Sequence, residues 1–70
     1  MEGRVKLIKI IYGERYAGHS IQQAPSESYI GRIGVIRRQL ILSDVSAYWV
    51  EFSDGKRFVL AEDELEEVKE

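Results

Sequence analysis

The sequence contains no cysteine, one proline and one histidine. Without cysteine, neither a disulfide framework nor a thiolate metal site is available, so apolar packing has to stabilise the fold. The 70 residues suffice for a single domain, residues 1–70. A domain of this size buries only roughly 60% of the surface that its unfolded chain exposes, and we expect no deep catalytic cleft.

Long apolar runs are also missing. The most apolar stretch near the start of the chain, Val5 to Ile11, is interrupted by Lys6 and Lys9. It therefore lacks the continuous apolar region of a signal peptide or a membrane span. We expect a cytoplasmic protein with no membrane span.

Catalytic and ligand-binding motifs are not found in the sequence. His19 is the only histidine and lies in a polar segment, so we expect an exposed ring rather than a general base. The acidic residues between 62 and 67 lack the glycine turn of a Ca²⁺ loop, and no phosphate-binding glycine motif occurs. We therefore expect a protein that is not an enzyme, with no catalytic residue, no metal site and no cofactor.

Charge is distributed unevenly along the chain. The net charge is −2, yet residues 62–70 contain six acids and one base, whereas residues 1–61 contain nine bases and six acids. The body of the domain is therefore mildly basic and its C-terminal tail is acidic. This pattern is typical of a solvated tail, and it would also let a basic face meet an anionic partner while the tail competes for that face.

The first part of the chain predicts a strand followed by a long loop. Residues Arg4 to Tyr12 are rich in isoleucine and favour a strand, with a bulge where Leu7 and Ile8 adjoin. No apolar period continues from Gly13 to Ser28, where small and polar residues dominate. We expect this segment to be a loop that is either functional or a disordered connector.

A second strand is predicted from Tyr29 to Arg38. Ile33 and Val35 would lie on one of its faces, and Gly31 and Gly34 inside it indicate bends or close backbone approach. Such bends allow one strand to serve both sheets of a small barrel. The apolar residues 40–42 would prolong this strand, and residues 43–46 have the composition of a turn.

The last third of the chain predicts a tight hairpin. A three-residue loop over 53–55, with Gly55 in the left-handed conformation, makes one face of the hairpin uniformly apolar. The expected opposing pairs are Tyr48 with Leu60, Val50 with Phe58 and Glu51 with Arg57. The same register turns Trp49 and Val59 to the other face, where they either contact a partner or lie beneath the long loop or a terminal segment.

After the hairpin, residues 61–64 predict one tight helical turn, and Leu65 and Val68 return to the core. A helix from Glu62 to Lys69 is the alternative, because acidic residues have good helix propensity. The complete order of elements resembles that of SH3-like barrels. It predicts an all-β fold, a small five-stranded SH3-like barrel with a long first loop and a short helical turn before the last strand.

Four segments are similar to a family of small photosystem I accessory proteins and to related electron-transport accessory barrels. They are Pro25–Tyr29, Gly34-Val35, Tyr48–Phe52 and Phe58–Val68. The resemblance implies a non-catalytic accessory subunit that docks on a larger complex and offers basic residues to an acidic partner. The matching segments point to Arg32, Arg37 and Arg57.

The spacing of Gly31 and Gly34 also resembles the early strand of KOW-type nucleic-acid-binding barrels. That resemblance implies phosphate contacts by basic residues beside stacking aromatics. The candidates are Arg4, Lys6, Arg37 and Arg38, together with Arg32. The acidic overall charge counts against this reading, because nucleic-acid-binding domains are usually strongly basic.

We therefore expect a small binding module whose partner is another protein or a protein complex. Aromatic and arginine side chains dominate the energetics of such interfaces. The predicted protein contacts are Trp49, Val59, Tyr16, Arg32, Arg37 and Arg57. Nucleic-acid binding is the alternative function, and self-association into a homo-oligomer would compete for the same surface around Trp49.

Overall fold

The computed structural model describes residues 3–17, 20–42 and 45–69. Its strands are β1 (Arg4–Leu7), β2 (Glu14–Ala17), β3 (Ser20–Gln23), β4 (Ile33–Leu42), β5 (Val45–Glu51), β6 (Arg57–Ala61) and β7 (Leu65–Glu67). Two single 3₁₀ turns lie at Glu27–Tyr29 and Glu62–Glu64. Across the described ranges the regular structure is therefore strands and 3₁₀ turns, which confirms the predicted all-β class.

Five strands form one antiparallel sheet in the order β6-β5-β4-β1-β7, and β2 pairs with β3 in a separate hairpin. Strands β6 and β7 are the two edges of the larger sheet. Because β4 and β5 pair along most of their length, they form its centre, and β1 joins β4 to the C-terminal strand.

One face of the five-stranded sheet forms the core. Its fully or almost fully buried side chains come from both the N-terminal and C-terminal strands and from the β5–β6 hairpin, namely Val5, Leu7, Tyr48, Val50, Leu60 and Leu65. Gly34 lies beneath this cluster, and a Cβ atom placed on it would come within 2.5 Å of Val50 Cγ1. The prediction of close backbone approach at Gly34 is therefore confirmed.

Aromatic rings close one end of the core. The ring of Tyr29 lies 5.0 Å from the ring centroids of both Phe52 and Phe58, in tilted and edge-on arrangements that aromatic pairs prefer. The Tyr29 hydroxyl donates to Oδ2 of Asp54 in the turn between β5 and β6. The 3₁₀ turn at residues 27–29 is thereby fastened to the hairpin.

The predicted β5–β6 hairpin is confirmed in register and in turn geometry. Tyr48 opposes Leu60, Val50 opposes Phe58 and Glu51 opposes Arg57. Gly55 has a φ of 86°, and its N–H donates to the carbonyl of Phe52 at 2.9 Å. Glycine reaches this left-handed conformation without steric cost, which is why the three-residue loop closes here.

The predicted first strand, Arg4 to Tyr12, is too long, because β1 ends at Leu7. The expected bulge at Leu7 and Ile8 is a change of partner instead. The Ile8 N–H donates to the carbonyl of Glu64, and the Ile11 N–H donates to the Glu64 carboxylate. These contacts replace strand pairing after Leu7.

The prediction of a loop from Gly13 to Ser28 is wrong. The segment contains the hairpin of β2 and β3, in which Tyr16 opposes Ile21, and the first residues of a 3₁₀ turn. The hairpin has few apolar residues, so its pattern did not indicate strands. Its predicted histidine, His19, lies outside the described residues.

The predicted second strand begins too early. Strand β4 starts at Ile33 and continues to Leu42, while Tyr29 belongs to a 3₁₀ turn. Gly31 lies before the strand rather than inside it, with a φ of 93°, and its N–H donates to the Leu7 carbonyl at 2.7 Å. The predicted turn at residues 43–46 is shorter, because β5 begins at Val45, and positions 43 and 44 lie outside the described residues.

The predicted helical turn and last strand are confirmed by the 3₁₀ turn at Glu62–Glu64 and by β7. The alternative helix from Glu62 to Lys69 is wrong. Residues of β7 pair with β1, with Leu65 opposite Leu7 and Glu66 opposite Lys6. Burial of Leu65 against β1 favours the strand over the helix that its acidic neighbours would otherwise support.

A buried ion pair fastens the β2–β3 hairpin to the rest of the domain. The guanidinium group of Arg15 meets the carboxylate of Glu64 with both of its terminal nitrogens, at 2.9 Å each, and neither side chain is more than 7% exposed. Arg15 also donates to the carbonyl of Val59 at 2.7 Å and to that of Tyr12. The acidic tail is therefore not wholly solvated, since Glu64 is part of the interior.

Glu64→Gln is expected to lower the free energy of unfolding by about 3–5 kcal/mol, because it leaves a buried guanidinium group without its counter-charge. Denaturant unfolding followed by the fluorescence of Trp49, the only tryptophan, measures the loss. Glu62→Gln, exposed in the same turn, is the matched control and is expected within about 0.5 kcal/mol of the unmodified chain. Equal losses for the two variants would contradict a stabilising role for the pair.

Gly34→Ala is expected to destabilise the domain by about 1–3 kcal/mol, because the added methyl group overpacks the core. It would come within 2.5 Å of Val50 Cγ1 and 3.0 Å of the Glu51 carbonyl oxygen. Gly13→Ala is the control, since its methyl group would have no heavy atom within 4 Å. Thermal unfolding compares the two, and a Gly34→Ala variant as stable as Gly13→Ala would rule out close packing at this position.

Asp54→Asn tests the link between Tyr29 and the hairpin through its pH dependence. The hydrogen bond from Tyr29, followed by that from the Lys56 amide, lowers the pKa of Asp54 in the folded state. The charged carboxylate thus stabilises the fold above its unfolded pKa of about 3.9, and this contribution is lost as the pH falls through the lower folded value. We expect the unmodified chain to be the more stable at neutral pH and the difference to shrink below about pH 4. Denaturant unfolding at both pH values measures it, and a difference independent of pH would refute the ionic contribution.

Candidate functional site

The face of the five-stranded sheet that points away from the core carries the candidate site, and we call it the outer face. Residues directly opposite each other on neighbouring strands share a face, so the strand register assigns its members. They are Arg4, Lys6, Ile33, Val35, Arg37, Arg38, Trp49, Glu51, Arg57, Val59 and Glu66. Five of these side chains are basic and two are acidic.

The β2–β3 hairpin covers one corner of the outer face. Val59 is only 1% exposed, and it lines a small cavity with Ala47 and Ala61 on the sheet and Tyr12 and Tyr16 on the other side. Of the two alternatives for the Trp49 and Val59 pair, coverage by the segment predicted as a loop is thus confirmed for Val59. Trp49 lies next to it and remains half-buried.

Beyond the covered corner, three arginines surround the indole ring. Arg37, Arg38, Trp49 and Arg57 line one surface depression, which we call the arginine–tryptophan site. Arg38 lies directly opposite Trp49 on the neighbouring strand. Arg37 is the additional residue of a β-bulge, because the register moves from Ile36 to Arg38 between consecutive residues of β5. A bulge of this kind redirects a side chain, and here it brings two consecutive arginines to one face.

Glu51 lies between two of the arginines. Its Oε1 accepts a hydrogen bond from Arg57 Nε at 2.7 Å and lies 3.5 Å from Arg37 Nε. The hydrogen bond from Arg57, and then the charge of Arg37, lower the pKa of Glu51. The carboxylate therefore stays ionised near neutral pH and offsets one of the three positive charges.

Two aliphatic side chains adjoin this cluster. Ile33 is 47% exposed and Val35 is 37% exposed, although both belong to the central strand β4. Val35 lies opposite Glu51 on one side and Arg4 on the other. The outer face thus combines an exposed apolar centre with basic side chains around it, a composition typical of protein-binding surfaces.

The structure brings together some of the predicted contacts and separates others. Trp49, Arg37 and Arg57 meet in the arginine–tryptophan site with Arg38, while Arg4 and Lys6 lie farther along the same face. Tyr16 is 57% exposed but belongs to the β2–β3 hairpin. The predicted exposure of Val59 is wrong.

Arg32, another predicted contact, lies away from this cluster. Its guanidinium carbon is 4.8 Å from the ring centroid of Tyr29, and its Nη1 is 4.0 Å from Asp54 Oδ2. Arg32 therefore lies beside the aromatic end of the core rather than at the indole ring.

Sequence reasoning did not identify Ile33 and Val35 as contacts, and it missed the buried pair of Arg15 and Glu64. The buried Gly34 between the two exposed residues is the signal for the outer face, since it lets β4 turn its larger side chains outward. The consecutive arginines at 37 and 38 interrupt the alternation of β4 and indicate the bulge. No local signal exists for the ion pair, whose partners are 49 residues apart.

The cavity beneath the β2–β3 hairpin is a weaker candidate for a binding site. It encloses about 200 Å³ and is lined mainly by apolar atoms above the buried ion pair. Small-molecule sites usually enclose roughly 300–1,000 Å³. The described residues also contain no group of three or more histidine, cysteine or acidic side chains placed to hold a metal ion.

Along residues 3–17, 20–42 and 45–69, no helix has the length and apolar character required to cross a bilayer. No protein-family model matches the sequence. Neither curated protein sequences nor solved structures give a significant match. The outer face and its arginine–tryptophan site are therefore interpreted from their own geometry.

Proposed function

We propose that this chain is a non-catalytic binding module that docks on another protein through the outer face of its sheet. The observation that carries the proposal is the exposed apolar centre formed by Ile33 and Val35, which adjoins Trp49 and the arginines around it. Interfaces are enriched in such aromatic and arginine side chains, and their centres are apolar.

The chemistry of the outer face supports binding rather than catalysis. Its basic groups are mostly guanidinium groups, which keep their charge and cannot serve as proton acceptors near neutral pH. Glu51 is held ionised by Arg57. The face therefore offers apolar contact area and fixed charge, which are the requirements of recognition.

We also propose that the fold is SH3-like. The strand order β7-β1-β4-β5-β6, the long connection between β1 and β4, and the 3₁₀ turn before the last strand support this assignment. The resemblance to the small photosystem I accessory proteins and related electron-transport barrels then implies an accessory role on a larger complex. This part of the proposal is an analogy at the level of the fold, and the outer face supports it independently.

Nucleic-acid binding is the second candidate, and one observation favours it. Arg37 and Arg38 lie beside Trp49, so phosphate contacts and base stacking would be available at one place. Two features count against it. The net charge of the chain is −2, and the neighbouring Ile33 and Val35 have no counterpart in a phosphate backbone.

The double variant Ile33→Thr/Val35→Thr is expected to reduce capture of partner proteins several-fold, because it removes the apolar centre and keeps β-branched residues in β4. A tagged chain is incubated with native lysate, with and without nuclease, and retained proteins are identified by mass spectrometry. The matched control is Tyr16→Thr/Ile21→Thr, which alters an exposed opposing pair on the β2–β3 hairpin.

A defined set of proteins that survives nuclease, persists in the control and declines in the β4 variant supports the proposal. Loss of all partners on nuclease treatment would replace it with the nucleic-acid alternative. A decline in the hairpin control alone would move the docking surface to Tyr16 and Ile21.

A further inference from the structure

The arginine–tryptophan site already holds a carboxylate, that of Glu51. This side chain is 24% exposed and lies within 2.7 Å of Arg57 Nε and 3.5 Å of Arg37 Nε. The arrangement demonstrates that arginines on β4 and β6 can share a carboxylate at this face. Each guanidinium group has five N–H donors, so one internal carboxylate does not occupy the donors of both.

Arg38 adds positive charge that Glu51 does not reach. Among the described acidic side chains, none lies within ion-pair distance of Arg38. Its neighbour across the strands is Trp49, whose indole ring lines the same depression. A negatively charged group placed there would meet Arg38 in partly dehydrated surroundings, where charge-assisted hydrogen bonds are stronger than in water.

The adjoining aliphatic surface restricts the kind of anion that fits. Val35 lies opposite Glu51, so the apolar centre begins directly beside the arginines. A peptide supplies carboxylates and aliphatic side chains within a few residues of each other. Nucleic acid supplies phosphates and aromatic bases, which would leave Ile33 and Val35 without apolar contacts.

We propose that the arginine–tryptophan site binds an acidic segment of a partner protein, with a carboxylate at Arg38 beside Trp49 and an aliphatic side chain on Ile33 and Val35. The inference rests on the proposed function and gives the chemistry of the partner. The acids of this chain cluster near its C-terminus, whereas five of its bases face outward on the sheet, so charge complementarity selects an acidic partner despite the net charge of −2.

Trp49 allows binding to be measured at the site itself, because it is the only tryptophan in the chain. Its fluorescence is titrated with a short peptide of glutamate and aspartate with interspersed valine and leucine. The matched peptide replaces every acid by its amide, and an oligothymidylate represents nucleic acid. We expect the acidic peptide to bind roughly tenfold more tightly than the amide peptide, and its affinity to fall with added salt.

Arg38→Gln is expected to weaken binding of the acidic peptide roughly tenfold, the effect of losing one charge-assisted hydrogen bond. Arg32→Gln removes the same charge beside Tyr29, and we expect it to leave the affinity nearly unchanged. Both arginines are exposed, and a thermal melt of each variant verifies that the fold persists.

The outcomes separate this inference from the proposed function. Equal binding of the amide peptide would overturn the acidic-partner inference and leave the outer face as an apolar docking surface. Preferential binding of the oligothymidylate would overturn both. Absence of any fluorescence change would overturn the inference, while the lysate experiment with the β4 variant would still decide the proposed function.

Discussion

The arrangement of this domain depends on the buried ion pair between Arg15 and Glu64. The pair joins the β2–β3 hairpin to the 3₁₀ turn before the last strand, and it also bonds to the edge of the sheet. Arg15 donates to the Val59 carbonyl, and Glu64 accepts from the Ala61 amide at 2.9 Å. Backbone groups of edge strand β6 are thereby capped, which protects an edge that would otherwise invite pairing with another chain. Dehydration of both charges is offset by these additional hydrogen bonds.

The position of the hairpin divides the outer face into two parts. Over Val59 it covers the sheet, whereas Trp49, one strand away, stays half-buried at the boundary. The bulge at Arg37 then sets the composition of the open part, because it adds a second arginine beside the indole ring. Coverage on one side and the bulge on the other leave a basic and apolar surface that is small and well defined.

Prediction from the sequence was most successful where contacts are local. The β5–β6 hairpin followed from residue parity and from Gly55, and the last turn and strand followed from Leu65. Prediction failed between Gly13 and Ser28, because the β2–β3 hairpin has little apolar alternation of its own. Its attachment depends on Glu64, which is distant in the sequence and appeared there as one acid among many.

The sequence by itself determined the all-β class, the register of the last hairpin and the presence of arginines close to Trp49 in that register. These features depend on side-chain alternation and turn chemistry, which act over a few residues. Only the tertiary structure decided that Val59 is covered, that Ile33 and Val35 are exposed and that Arg37 and Arg38 share a face. Burial depends on which distant segment packs over a strand, and here a single long-range ion pair makes that selection.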